Sequence, residues 1–177
     1  IQSDQFRQSG LPYTLNVGDG ISRGLEFEAN WRVSPDLDIG VAAIFQNSNL
    51  TKSAAIAMAG RDVGLPGAPD VSASALFDYH PALRPNVVLR IQGDVSYVGQ
   101  SFLTFDQQRL FDMGGYLTAR VSAGLEIDTC RIALFVNNLT NNSANTFAFG
   151  NPFRMRFDPE VTPLTPRTIG IELSSSF

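Results

Sequence analysis

The only histidine of the chain, His80, lies two residues after Asp78. This spacing places both side chains on the same face of an extended strand. A histidine beside a carboxylate could activate a nucleophile, but His80 is followed by Pro81 in a turn-like stretch and no nucleophile pattern surrounds it. The pattern favours a structural role, and we predict that the chain is not an enzyme and has no catalytic residue.

Glu26 and Glu28 have the same spacing and could be interpreted as an acid and base pair. They alternate with Leu25 and Phe27, however, as charges do along a strand with one apolar and one polar face. We therefore interpret them as charges on the polar face of a sheet, where Arg32 is a candidate ion-pair partner.

Two stretches without strand alternation combine aromatic residues with charged ones, chiefly arginine. Arginine and aromatic side chains together suit an organic anion or the face of a sugar. The alternative is that they pack the loops together and form an aromatic girdle. The candidate ligand-binding residues are Phe105, Asp106 and Arg109 in one stretch, and Phe149, Arg154 and Arg156 in the other.

Composition narrows the function classes further. The net charge of −4 argues against nucleic-acid binding, which needs a basic surface. A lone cysteine, Cys130, cannot form an internal disulfide, and no cluster of thiols suggests a metal. The glycines at 18 and 20 precede a strand rather than a helix, so they do not predict a phosphate site or any other cofactor.

The elements that carry these residues read as strands. Apolar and polar residues alternate in segments longer than ordinary strands, and no apolar run approaches the ~20 residues of a membrane helix. Short turns near Ser34, Pro81 and Asp128 alternate with long connections, as in transmembrane β-barrels. The predicted strands are residues 22–33, 37–46, 71–80, 86–99, 115–126, 130–139 and 167–177, and residues 1–6 resemble the end of another strand, followed by a loop over 8–20.

The last strand ends on an aromatic residue, Phe177. A terminal aromatic suits the edge of a bilayer, where aromatic girdles lie. Strand charges such as Arg90 and Glu172 share the parity opposite to the apolar residues, as expected when the apolar face meets lipid. Taken alone, this parity also predicts that Arg90→Leu is tolerated. A soluble sandwich or barrel would show the same alternation, but the loop asymmetry, the strand lengths and Phe177 favour a membrane barrel.

Three segments resemble parts of the barrel of TonB-dependent outer-membrane receptors. NVGDGISRGLEFEANWRVSPDLDIGVA resembles a strand–turn–strand unit, FVNNLTNNSANTF the penultimate strand with its exit loop, and PLTPRTIGIELSSSF the last strand. The resemblance implies an all-β, antiparallel transmembrane meander over residues 1–177. It would form the C-terminal part of a 22-stranded barrel in the bacterial outer membrane, without the plug domain.

The resemblance also implies a function and partners. The family imports scarce ligands such as siderophore-iron, cobalamin or carbohydrates, energised from the inner membrane. Expected partners are outer-membrane lipid, the N-terminal plug domain, the inner-membrane energy-coupling protein, and the barrel assembly machinery, which would read Phe177. Glu26 and Glu28 could pair with the plug instead of Arg32. The alternative is a complete eight-stranded barrel with an adhesive or structural role, closed by residues 1–6.

Overall fold

The computed structural model describes residues 2–8, 11–16, 18–52, 63–102, 112–149 and 160–175, which contain β-strands throughout. Among these residues, no helix could cross a membrane. The seven long strands are β3 (Asp19–Ser34), β4 (Leu37–Lys52), β6 (Val71–Tyr79), β8 (Val87–Val98), β11 (Tyr116–Ile127), β12 (Cys130–Asn137) and β15 (Thr168–Ser175). The short strands are β1 (Gln2–Gln8), β2 (Leu11–Asn16), β5 (Val63–Gly64), β7 (Ala82–Arg84), β9 (Ser101–Phe102), β10 (Asp112–Met113), β13 (Asn145–Phe149) and β14 (Glu160–Pro163).

The long strands form one antiparallel sheet in the order β3–β4–β6–β8–β11–β12–β15. Each long strand pairs with the next long strand along the chain, so the predicted all-β antiparallel meander is confirmed. Within the described residues, β3 and β15 lie at the two ends of this order, and the sheet is open. β1 pairs with β2 rather than with β15, so the described pairings give no support to a closed eight-stranded barrel.

The register keeps the two faces of the sheet chemically distinct. Trp31 lies opposite Ile39, and Ile39 lies opposite Phe77. Asp94 lies opposite Arg120 on the other face. Because cross-strand partners share a face, a regular register carries the alternation of each strand across the whole sheet.

The apolar face is exposed. The side chains of Trp31 and Leu134 are 66% and 59% accessible, although such residues are usually buried in water-soluble proteins. Ile39, Leu89 and Val121 lie on the same face and are half-buried, and none of the three is fully buried. The other exposed members of this face include Leu25, Phe27, Val41, Phe45, Phe77, Tyr97, Leu117, Ile132, Ile169, Ile171 and Leu173.

Among the described residues, two of the three buried hydrophobic side chains lie beside the long connections, and the third, Ala133, lies within β12. Leu50 is 1% accessible and Met113 is 3% accessible. Leu50 lies near the C-terminal end of β4, which runs to Lys52 and not to residue 46 as predicted. The extension pairs with the first residues of β3, from Asp19 to Arg23, and at Asn49 and Leu50 it also pairs with β5 on its other side.

The prediction of a plain loop over residues 8–20 is wrong, because β2 occupies much of it. Leu11, Tyr13 and Leu15 alternate with polar or proline residues, a short strand pattern that the sequence analysis passed over. The long connections after β8 and β12 likewise begin and end in short strands, which pair as β9 with β10 and as β13 with β14.

Candidate functional site

The ends of the sheet differ in their connections. The tight turns at residues 35–36, 85–86 and 128–129 lie at one end, which we call the turn end. The opposite end, from which the long connections leave, is the loop end. At the turn end, the His80 amide donates to the Asp36 carbonyl at 2.8 Å and the Asp128 amide donates to the Asn86 carbonyl at 3.2 Å. Neighbouring turns are therefore tied together.

A group of polar side chains crosses the polar face near the turn end. We call it the polar cluster, and Arg90 is its centre. Arg90 Nη2 lies 2.6 Å from Asp78 Oδ2, and Arg90 Nε donates to Asp78 Oδ1 at 3.1 Å. On the other side, Arg90 Nη1 donates to Glu126 Oε1 at 3.2 Å. One guanidinium thus joins β6, β8 and β11 through charge-assisted hydrogen bonds.

The polar cluster continues onto β12. Gln92 Nε2 donates to Asp78 Oδ2 at 3.3 Å, and Arg131 Nη2 donates to Gln92 Oε1 at 3.2 Å. Arg131 Nε is buried without a hydrogen-bond partner among the described residues. The polar face is concave here and borders an open cavity of about 770 Å³. The two arginines and the two carboxylates of the cluster balance in charge. The cluster can therefore stabilise the sheet but presents no unmatched net charge.

The two sequence candidates for acid–base chemistry do not form such sites. His80 Nδ1 lies 3.8 Å from Asp78 Oδ1, too far for a hydrogen bond, and Asp78 is engaged with Arg90. Arg32 pairs with Asp38 at 2.9 Å, because Asp38 lies directly opposite it in the register. The sequence suggested either Arg32 or a plug domain as the partner of Glu26 and Glu28. The pairing with Arg32 is not observed.

At the loop end, asparagines organise the exit of β12. Asn138 Nδ2 donates to the carbonyls of Asn142 and Thr165, both at 2.8 Å. Asn138 Oδ1 accepts the amide of Asn142 at 3.0 Å. Asn138 and Asn141 have φ of 49° and 51°, a left-handed conformation that asparagine tolerates better than most residues. The side chain of Asn138 thus substitutes for strand partners where the ladder ends.

Asn141 and Asn145 extend this arrangement. We call the four residues the asparagine network: Asn138, Asn141, Asn142 and Asn145. Asn141 Oδ1 accepts the amide of Arg167 at 3.1 Å, just before β15. Asn145 Nδ2 donates to the carbonyl of Asp112 at 3.2 Å. The sequence analysis did not identify these residues as structural. The available signal was a run of asparagines directly after a strand, because this residue type satisfies backbone groups at turns.

Most of the predicted ligand-binding residues lie outside the described residues, namely Phe105, Asp106, Arg109, Arg154 and Arg156, as does the terminal Phe177. Phe149 is the last residue of β13, and only its backbone is described. The described strands that bracket these residues are nevertheless adjacent, because the Gly114 amide at the end of β10 donates to the Asn145 carbonyl at the start of β13 at 3.1 Å.

The described side chains offer no metal centre. Among them, no group of three or more histidine, cysteine, aspartate or glutamate side chains could hold a metal ion. Cys130 is exposed, and its thiol lies 3.7 Å from the hydroxyl of Ser175.

Two solved structures have a similar fold. The ferric yersiniabactin uptake receptor FyuA from Yersinia pestis matches 96% of this chain at 22% identity, with a TM-score of 0.73. BauA, the ferric preacinetobactin receptor from Acinetobacter baumannii, matches 98% at 14% identity, with a TM-score of 0.69. The chain spans about a quarter of the length of each, 25% and 24% respectively. No curated protein matches the sequence.

The sequence profile of one family matches residues 1–139, and its description is "TonB dependent receptor-like, beta-barrel". This match covers well over half of the 177 residues. It agrees with the antiparallel sheet, the exposed apolar face and the polar concave face. Proteins of this family are outer-membrane transporters and not enzymes. This agrees with the prediction from the sequence that the chain is not an enzyme. The chain belongs to the family of TonB-dependent receptor β-barrels.

Proposed function

We propose that this chain is part of the barrel wall of an outer-membrane receptor that imports a scarce ligand, energised from the inner membrane. The observation that carries the proposal is the polarity of the sheet. Apolar side chains such as Trp31 and Leu134 are exposed on one face, while charged side chains such as Arg90 and Asp94 lie on the other. A wall between lipid and a water-filled lumen needs this distribution.

The proposed place of the chain is the C-terminal part of a larger barrel, over residues 1–177. The last strand, β15, keeps Ile169, Ile171 and Leu173 exposed on the apolar face, as expected for a strand that faces lipid. The proposed partners are outer-membrane lipid on this face and a plug domain on the polar face. An inner-membrane energy-coupling protein and the barrel assembly machinery complete the set, the latter reading Phe177.

The proposed ligand belongs to the siderophore-iron, cobalamin or carbohydrate class. Phe105, Asp106, Arg109, Phe149, Arg154 and Arg156 are the residues proposed to contact it. Support comes from residue chemistry, because arginine binds the oxygens of an organic anion and aromatic rings stack on flat or apolar groups. FyuA is a receptor for ferric yersiniabactin and BauA for ferric preacinetobactin, so ferric siderophores are the first class to test.

The experiment compares a strain that lacks the full-length gene with the same strain carrying it on a plasmid. Uptake is measured with radiolabelled ferric yersiniabactin, ferric preacinetobactin, cobalamin and a malto-oligosaccharide. We expect one compound to enter only the complemented strain, and an uncoupler of the inner membrane to stop its uptake but not its surface binding. Equal uptake of every compound by both strains would contradict a role in importing these classes.

The replacement of Arg109 and Arg154 by glutamine tests the proposed contacts, with Arg120→Gln as the control. Arg120 is a wall residue that pairs with Asp94 at 2.8 Å. The loop variants should bind the transported compound about tenfold more weakly, since each loses a charge-assisted contact. The wall variant should bind it normally.

A further inference from the structure

The β13–β14 hairpin at the loop end is irregular at its first residue. Its register shifts between Asn145 and Phe147, which leaves Thr146 as the extra residue of a β-bulge. Asn145 Oδ1 fills the gap in the ladder, because it accepts the Phe147 amide at 3.1 Å and the Thr162 amide at 3.2 Å. The oxygen end of this side chain therefore serves the hairpin itself.

The nitrogen end of the same side chain serves another hairpin. Asn145 Nδ2 donates to the Asp112 carbonyl at 3.2 Å, and the Asn145 carbonyl accepts the Gly114 amide at 3.1 Å. Asp112 belongs to β10, which pairs with β9. One asparagine thus joins the β9–β10 hairpin to the β13–β14 hairpin, because its side-chain amide donates to Asp112 and its main-chain carbonyl accepts from Gly114.

The β9–β10 hairpin is itself held by its neighbours, including the connection between β5 and β6. Met113 and Ser101 are buried, and the Phe102 carbonyl accepts the Gly67 amide at 2.8 Å. Gly114 passes so close to the Gly99 carbonyl that a side chain could not be accommodated there. The hairpin to which Asn145 attaches is therefore itself held in place, so the attachment fixes the first residue of the β13–β14 hairpin beside β10.

We propose that Asn145 is a positioning residue for ligand recognition, which holds the β13–β14 hairpin against β10. The β9–β10 and β13–β14 hairpins then share one base in the described residues, and the chain continues from them into residues 103–111 and 150–159. The inference rests on the proposed function, because these connections carry the residues assigned to ligand contact. Recognition by two connections gains from such a base, since fixing their relative position before binding lowers the entropy lost on binding.

Two substitutions separate the two ends of the Asn145 side chain. Asn145→Asp keeps the oxygen that accepts the Phe147 and Thr162 amides but replaces the donor to Asp112 with an oxygen. Asn145→Ala removes both. Thr146→Val is the matched control, because Thr146 Oγ1 donates to the Thr162 carbonyl at 2.8 Å, a hydrogen bond within the hairpin itself.

Amide hydrogen exchange of the ligand-free full-length receptor measures the attachment directly. In Asn145→Asp the Gly114 amide should exchange about tenfold faster while the Thr162 amide is unchanged. In Asn145→Ala both should exchange faster. In Thr146→Val only the amides of the β13–β14 hairpin should exchange faster. An unchanged Gly114 amide in both Asn145 variants would overturn the proposal.

Uptake measurements test the consequence for recognition. They use whichever of the four compounds named above the wild-type receptor imports. Asn145→Asp should raise the half-saturation concentration about tenfold and leave the maximal rate close to that of the wild type. Unchanged half-saturation would overturn the positioning role. If the wild type imports none of the four compounds, the proposed function fails and with it the role in recognition, while the exchange of Gly114 still decides the attachment.

Discussion

Arg90 binds Asp78 on the neighbouring strand through two nitrogens, with Nη2 at 2.6 Å from Oδ2 and Nε at 3.1 Å from Oδ1. Its remaining terminal nitrogen donates to Glu126 on the strand at the other side. The three residues lie about one-third or less exposed, at 32%, 20% and 32% for Arg90, Asp78 and Glu126. Water therefore screens these pairs less than an ordinary surface pair.

We expect Arg90→Met to lower the free energy of unfolding by about 1–3 kcal/mol, because it removes the guanidinium from two partly buried carboxylates and leaves Asp78 with the weaker Gln92 donor alone. Guanidinium-induced unfolding of the purified full-length barrel in detergent micelles measures the change. This expectation replaces the view from the sequence pattern that Arg90→Leu is tolerated.

Arg120→Met is the control for Arg90→Met. Arg120 makes one ion pair with Asp94, and its side chain is 63% exposed, so the loss should stay below about 1 kcal/mol. Equal losses in the two variants would mean that the polar cluster contributes no more than an isolated surface pair.

The different outcomes for Arg90 and for the strands themselves show what the sequence could and could not predict. A period of two assigns each residue to a face, so the face of Arg90 follows from its position alone. The partner of Arg90 depends on which residue lies opposite it, and the register is set by turn lengths and bulges that alternation does not encode. The same limit explains Arg32, whose partner is Asp38 rather than Glu26 or Glu28.

The loop end was harder to predict for a different reason. The asparagines at 138, 141 and 142 act on backbone groups, some of them distant in sequence, such as the Arg167 amide and the Thr165 carbonyl. Composition identifies asparagine as a turn residue. It does not identify which distant backbone group a side chain reaches, because that depends on how the connection returns to β15.

Gly93 gives a test of packing on the apolar face. It lies opposite Phe77, and a Cβ at Gly93 would lie only 2.5 Å from Phe77 Cε1. Gly93→Ala should therefore displace the ring and lower the free energy of unfolding by about 1–3 kcal/mol. Phe77→Ala should cost less in the Gly93→Ala background than in the wild type.

A matched glycine controls for the effect of alanine itself. At Gly64 the nearest atom to an added Cβ is the Ser48 carbonyl oxygen at 3.8 Å, an ordinary contact. Gly64→Ala should change the free energy of unfolding by less than about 0.5 kcal/mol, as surface substitutions generally do. Additive effects of Gly93→Ala and Phe77→Ala would show that the ring does not depend on the glycine.

Phe177 lies outside the described residues, and its role remains a prediction from the sequence. Phe177→Asp should reduce the amount of folded, protease-resistant full-length protein in outer-membrane fractions far more than Ser176→Asp, because only the aromatic residue belongs to the apolar parity at the bilayer edge. Equal amounts of the two variants would mean that the terminal aromatic is not read during assembly.

The assignment of the two faces to lipid and lumen is tested by one substitution at two adjacent positions of β8. Val95 belongs to the apolar face, opposite Ala75 and Ala119, and Ser96 belongs to the polar face, opposite Ser74 and Thr118. Val95→Arg would place a cation in hydrocarbon, at a cost of about 2–4 kcal/mol near the bilayer midplane. Ser96→Arg would place the same cation in the lumen beside Asp94. We expect the heat-modifiable, folded form of the full-length receptor to be strongly reduced for Val95→Arg and nearly normal for Ser96→Arg. The reverse order would show that the exposed apolar side chains do not face lipid, because the same charge at the same depth differs in these two variants only in the face it occupies.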